Sequence, residues 1–177
     1  MEIPGLGPVT VDADFGDYVS QPLPVPVFGD ALCQFVVSGY DDDDAKVDFE
    51  TAISAFLGLG KSALRSASEP VFQYYLDVKT EVGDDEDFVS IASPDDVWSH
   101  VRLGGEVSVQ REDAHGDRQV YVSAECECAW EPEHGLQVVF RRGSAVSKVG
   151  PFDSHLTNAA AFDRADLADV VYYRFGY

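Results

Sequence analysis

The chain is short of positive charge, of sulfur and of long apolar runs, and each shortage excludes something. Twelve lysines and arginines stand against 32 aspartates and glutamates in 177 residues, a formal net charge of −20. Binding nucleic acid through phosphates needs clustered basic side chains, so that class is excluded. Anionic membrane surfaces are excluded for the same reason. No apolar stretch approaches the ~18 residues of a membrane-spanning helix. Met1-Glu2-Ile3-Pro4 has neither the basic nor the apolar region of a secretory leader. The expected compartment is the cytoplasm.

Cysteine is scarce too, with only Cys33, Cys126 and Cys128. On a strand, Cys126 and Cys128 share a face with side chains ~7 Å apart. A disulfide brings its Cβ atoms to ~4 Å, so both are expected as reduced core thiols. No second thiol pair completes a metal site, and neither a metal nor a cofactor is expected. Catalytic motifs are missing as well. Gly58-Leu59-Gly60-Lys61-Ser62 ends like a phosphate loop, but Ala55 stands where the first glycine belongs, and the stretch follows a helical pattern rather than a strand. There is no Gly-x-Ser-x-Gly elbow.

What is present is a folded chain, 45% hydrophobic and 12% aromatic, expected as one α+β domain over residues 1–177. Its clearest stretch is 119–141. Val120, Val122, Ala124, Cys126, Cys128 and Trp130 alternate with Tyr121, Ser123, Glu125 and Glu127, so the first set faces a core and the second faces solvent or a partner. Leu136, Val138 and Phe140 repeat the pattern on a return strand. Pro132 and Gly135 suit the turn between them. With strands at 106–111, 119–130, 136–141 and 146–149, and Arg141-Arg142-Gly143-Ser144 as the turn before the last, this predicts a four-stranded antiparallel meander within 105–150.

The rest of the chain supplies the second layer. Residues 1–45 hold five of the nine prolines and read as short strands at 9–11, 23–28 and 32–37, with Pro22, Pro24 and Pro26 confining their strand to a sheet margin. Residues 46–102 are helical. Phe49, Ile53, Phe56 and Leu57 make one apolar stripe, Ser68-Glu69-Pro70 opens a second helix, and Ser93-Pro94-Asp95-Asp96 opens a short third. Beyond Pro151, residues 158–169 suggest a short helix and 170–175 a final strand.

The hairpin turn carries Glu131, Glu133 and His134 beside Trp130, and the chain returns with Asp153-Ser154-His155. The stretch Glu125-x-x-Cys128-x-Trp130-Glu131-x-Glu133-His134-Gly135-Leu136, with Lys148-Val149-Gly150 and Asp153-x-His155-x-Thr157 after it, resembles a family of small uncharacterised bacterial cytosolic domains. The resemblance loosely covers most of the chain and implies an association with toxin immunity. Ser154 departs from it, since a glycine is expected between Asp153 and His155.

Three functions are open on these residues. The first is a non-enzymatic acidic binding domain, an immunity-type inhibitor of a basic toxin. Its candidate binding residues are Trp130, Glu131, Glu133, His134, Asp153 and His155. Its candidate partner surface is the acidic runs Asp41, Asp42, Asp43, Asp44 and Asp84, Asp85, Glu86, Asp87, which would steer a basic protein in. The second is a small metal-assisted hydrolase using Glu131, Glu133, His134, Asp153 and His155. The third is a housekeeping domain whose acidity is salt adaptation.

Overall fold

The computed structural model describes residues 1–174 apart from 84, 113, 114 and 116. The meander is present at its expected place: β7 (Gly105–Arg111), β8 (Val120–Cys128), β9 (Leu136–Arg141) and β10 (Ala145–Gly150) pair antiparallel in chain order. It is one half of a larger sheet. The N-terminal strands β1 (Glu2–Ile3), β2 (Gly7–Val11), β3 (Tyr18–Ser20), β4 (Leu23–Val25) and β5 (Ala31–Val37) continue it, and β6 (Val101–Arg102) pairs β8. Ten strands result among the described residues, in the order β1-β2-β3-β5-β7-β8-β9-β10 with β4 on β5.

The two halves join through a parallel pair, Cys33 to Val37 of β5 beside Gly105 to Val109 of β7. A parallel join needs a long crossover. Here the crossover is the helical segment: α1 (Lys46–Leu57), α2 (Ser62–Arg65) and α3 (Ser68–Val82). The α1 stripe buries Phe49, Ala52, Ile53 and Phe56, and α3 buries Val71, Tyr74 and Tyr75. Phe56 sits edge-on to Phe28, Phe35 and Phe140, with ring centroids 5.0–6.1 Å apart. That aromatic knot ties helix, N-terminal strands and meander into one core. The third expected helix is a single 3-10 turn, Val97–His100, whose Trp98 indole N–H donates to Ser68 Oγ at 2.9 Å.

The inward parity series is buried as expected, from Val120 through Trp130. The outward series is not all solvent-facing. Tyr121 and Ser123 are buried, under a C-terminal segment that runs through α4 (Asn158–Phe162). Leu156 packs on Tyr121 and Val139 there. Arg141 donates to Asp169 at 2.7 Å and to the Ala168 carbonyl at 2.5 Å. Asn158 Nδ2 holds the Val170 carbonyl at 2.7 Å. Only Glu125 and Glu127 of that set are exposed. The final strand expected from residue 170 is absent among the described residues, and Phe175 lies outside them. The Val171 carbonyl instead accepts the Val149 N–H of edge strand β10 at 2.8 Å, with Asn158 Nδ2 as a second donor at 3.4 Å.

All three cysteines are free and buried. Burial pushes the Cys126 and Cys128 thiols up to about 12 from an ordinary 9.0. Folding thus favours the protonated thiol. Its contribution is whole below pH 9.0 and is lost as pH rises toward about 12, on the order of a few kcal/mol per thiol. The denaturation midpoint should therefore fall steadily over that window. A thiol reagent near neutral pH should label no cysteine in the folded protein and all three in denaturant. Native labelling of Cys126 would contradict its placement.

Candidate functional site

The turn between β8 and β9 is built by its own residues. Glu131 Oε1 accepts the backbone N–H of Glu133 at 2.9 Å and of His134 at 3.3 Å, while the Glu131 carbonyl accepts the Gly135 N–H at 3.0 Å. Gly135 has φ +62, and a Cβ there would stand 2.6 Å from the Cys126 carbonyl oxygen. A glycine is required by both conformation and space. Two outside contacts pin the turn. The Tyr74 hydroxyl of α3 donates to the Gly135 carbonyl at 3.1 Å, and the Phe152 N–H donates to the His134 carbonyl at 3.0 Å.

Trp130 is buried, with its ring edge-on to Tyr74 and Tyr75 at 6.0 and 6.1 Å. It anchors the turn to α3 and offers no exposed surface to a ligand. Glu131 is largely spent on the turn. Glu133 and His134 are exposed. Removing Glu131's carboxylate by Glu131→Ala should cost about 1 kcal/mol, as loss of a helix cap does. Glu133→Ala and His134→Ala should each stay within about 0.5 kcal/mol of the parent. Chemical denaturation of the three variants checks this, and a large loss at Glu133 would make it a structural residue.

The second cluster follows β10. Asp153 Oδ1 accepts the Lys148 ammonium at 2.6 Å and the His155 N–H at 2.9 Å. Lys148 is itself buried in the sheet's second face, donating also to Gln137 Oε1 at 2.6 Å and to the His155 carbonyl at 3.2 Å. Gln137 Nε2 passes the chain on to Ser123 Oγ at 2.9 Å. Burial pulls the Lys148 pKa down, against the opposing pull of Asp153. Asp153 Oδ2 is buried without a hydrogen-bond partner among the described residues. Ser154 adopts φ +67, the left-handed conformation in which glycine is at ease. Ser154→Gly should therefore leave stability unchanged or raise it by up to about 1 kcal/mol, where glycine at an ordinary position would lower it. A fall in melting temperature would show that the Ser154 side chain is needed.

The two clusters meet at one end of the sheet, and two clefts flank the hairpin tip. One, about 280 Å³, is lined by Tyr74, Asp77 and Glu81 of α3, by Glu131 and His134 of the tip, and by Phe152, Asp153, Tyr172 and Arg174. The other, about 360 Å³, lies between the tip and the start of β7, with Glu106, Glu125, Glu127, Glu133 and Arg102 on its walls. Glu131 and His134 line both clefts, Asp153 only the first and Glu133 only the second, and His155 lines neither. Among the described residues, no three His, Cys, Asp or Glu side chains converge to hold a metal ion.

The acidic runs divide. Asp41 accepts the Tyr18 hydroxyl and pairs with Lys46 at 3.1 Å. Asp43 is gripped by Arg111 through two bonds of 2.6 and 3.0 Å and holds the Ala45 N–H at 2.8 Å. Those hydrogen bonds hold both carboxyls below the usual carboxylate range. Only Asp42 and Asp44 of that run are exposed and uncommitted to such pairs. Asp85, Glu86 and Asp87 are exposed in the loop leaving α3. Asp84 lies outside the described residues.

Sequence reasoning missed Tyr74, Asp77, Glu81, Lys148, Tyr172 and Arg174. The first three were visible as one helical face at positions 74, 77 and 81.

Fold and site define an α+β protein, a large and mostly antiparallel sheet with helices, that carries an acidic, aromatic-walled cleft beside a pinned hairpin tip. The chain belongs to the family described as a domain of unknown function, DUF6985, whose model matches residues 5–156 and so takes in the hairpin and the Asp153–His155 turn. No curated protein and no solved structure matches the chain. No helix among the described residues is long and apolar enough to cross a membrane.

Proposed function

We propose that the protein is a non-catalytic acidic binding domain that neutralises a basic bacterial toxin in the cytoplasm, with the hairpin-tip end of the sheet as its contact surface. One observation carries this reading. Four carboxylates from three separate segments, Asp77, Glu81, Glu131 and Asp153, are gathered at a single cleft. The exposed loop of Asp85, Glu86 and Asp87 extends the same charge past the end of α3. A surface of one sign speeds encounter with a partner of the other and rejects like-charged competitors.

Two further features support binding over chemistry. A nucleophilic cysteine needs a lowered pKa and an exposed thiol, whereas Cys126 and Cys128 are buried and pushed up to about 12. The five residues of the hydrolase alternative do not gather at one point, since Glu133 and His155 stand outside the cleft that holds the other three.

The test is co-expression with the product of the adjacent reading frame. The expected result is a neighbour that arrests growth alone, growth restored by this protein, and a complex that weakens as salt rises. A harmless neighbour, or arrest that this protein does not relieve, would overturn the inhibitor reading.

A further inference from the structure

We propose that the cleft between α3 and the hairpin tip is the seat of one arginine side chain from a basic protein partner. This rests on the binding-domain reading and names the chemistry of the contact. The cleft combines two kinds of wall. Half-buried Tyr172 and Phe152 give it aromatic surface, and Tyr74, only 4% exposed, stands with its ring centroid 6.0 Å from that of Tyr172. Asp77, Glu81, Glu131 and Asp153 set its charge, offset in part by Lys148 on Asp153 and by Arg174 near Asp77. A flat, weakly hydrated cation that stacks on aromatic rings and bridges carboxylates meets both demands. A lysine ammonium meets only the second.

The acceptors of the cleft are only partly used. One Asp77 oxygen takes the Tyr172 hydroxyl at 2.8 Å. Asp153 Oδ2 is buried and unpartnered among the described residues. Carboxylates at this density, beside buried Tyr74 and half-buried Tyr172, favour an incoming cation and oppose phosphate or carboxylate ligands. A divalent ion does not fit, because no three suitable ligands converge there.

The chain itself already places an arginine at this spot. Arg174 lines the cleft with its Nε 3.6 Å from Asp77 Oδ1, beyond hydrogen-bond reach, and 54% of its side chain is exposed. It sits at the mouth, as a loosely held internal competitor. The partner's arginine enters beside or in place of it, so Arg174 weakens binding where a surface cation would otherwise be neutral.

The experiment is an amide-resolved NMR titration of the full chain with acetyl-arginine methylamide, using the neutral citrulline counterpart as control. The expected result is a saturable set of shifts confined to residues 74–81, 131–134, 151–153 and 172–174, with no response to citrulline. Glu81→Gln should weaken the arginine response and Arg174→Ala should strengthen it, each by about two- to fivefold, the range of one exposed charge pair. Glu81 and Arg174 are both exposed, so neither variant threatens the fold. Shifts that grow without saturating, that spread equally to Asp12–Asp17 or Asp42–Asp44, or that citrulline reproduces would overturn the assignment. So would an Arg174→Ala variant that binds no tighter. Because the titration uses no toxin, a failed titration with intact toxin rescue removes this pocket alone. Saturable arginine binding without rescue removes the inhibitor reading and leaves the pocket.

Discussion

Gly143→Ala should cost about 2–5 kcal/mol and bring the domain toward the edge of unfolding. Gly143 lies in the turn between β9 and β10 with φ +64, and the middle of α1 rests directly on it. A Cβ at this position would stand 1.9 Å from the Ala52 carbonyl oxygen and 2.8 Å from its carbon, where real Cβ atoms keep at least 3.0 Å. The obstacle is helix backbone rather than the flexible end of a side chain, so nothing can swing aside. Either α1 lifts from the sheet or the turn refolds. Overpacking of this kind costs about 1–3 kcal/mol or more, and an alanine held at positive φ adds roughly 1–2 kcal/mol. Domains of this size have only ~5–15 kcal/mol in hand. Gly60→Ala is the matched control, since a Cβ there meets nothing within 4 Å. It should be neutral, or stabilising by up to about 1 kcal/mol. Urea denaturation of the two variants decides the matter. A Gly143→Ala midpoint close to that of Gly60→Ala would mean that α1 does not rest on the turn.

That contact also shows what was legible in the sequence and what was not. The Arg141-Arg142-Gly143-Ser144 turn, the apolar stripe of α1 and the alternation of β8 are local patterns, and each was readable from neighbouring residues. The four strands of the meander accordingly fall within a residue or two of their expected limits, apart from the Ala129–Trp130 end of β8, which belongs to the turn. The parallel join of β5 to β7 is not local. Nothing in Cys33–Val37 states that its partner lies across three helices at Gly105–Val109. The very short strands β1, β3 and β6 lack enough residues to show a period.

The second face of the sheet was misread for a different reason. Tyr121, Ser123, Gln137 and Lys148 look like a wet surface, because polar side chains usually are. Ser123, Gln137 and Lys148 satisfy one another in a chain and Tyr121 finds partners in Asp117 and Arg141, and mutual satisfaction cannot be seen one residue at a time. The candidate site was half legible on the same grounds. Glu131, His134 and Asp153 were marked by local density of unusual residues, and they do share a cleft. Its far wall comes from α3 and from Tyr172 and Arg174, which tertiary packing alone brings there. Part of the acidic surface was overread. Asp41 and Asp43 serve Tyr18, Lys46, Ala45 and Arg111, so an acidic run in sequence is not an acidic patch in space.

The buried network itself yields the other large expected effect. Asp153→Asn keeps the shape but removes the one carboxylate that faces Lys148, whose side chain is only 2% exposed. The ammonium keeps only neutral acceptors, the asparagine amide oxygen in place of Asp153 Oδ1 together with Gln137 Oε1 and the His155 carbonyl, and loses its counter-charge. Removing one partner of a buried ion pair typically costs about 3–5 kcal/mol, because the remaining charge stays desolvated. Lys148→Met should cost a similar amount for the converse reason. Lys148→Met combined with Asp153→Leu should cost clearly less than the two single changes together, since no charge is then stranded. The pH dependence identifies the cause. Burial holds the Lys148 pKa below its ordinary 10.5, and Asp153 is the group that opposes the fall. With asparagine in its place, the folded-state pKa drops further while the unfolded one stays at 10.5. Between those two values the unfolded chain binds the extra proton, so stability gains as pH rises. The deficit of Asp153→Asn relative to the parent should therefore be full near neutrality and shrink as pH climbs toward the ordinary lysine value. Taking the difference at each pH cancels the alkaline loss from the buried thiols, which both proteins share. A deficit that does not change between neutral pH and the lysine range would show that Lys148 is uncharged in the parent fold, and the Lys148–Asp153 contact would then be a neutral hydrogen bond.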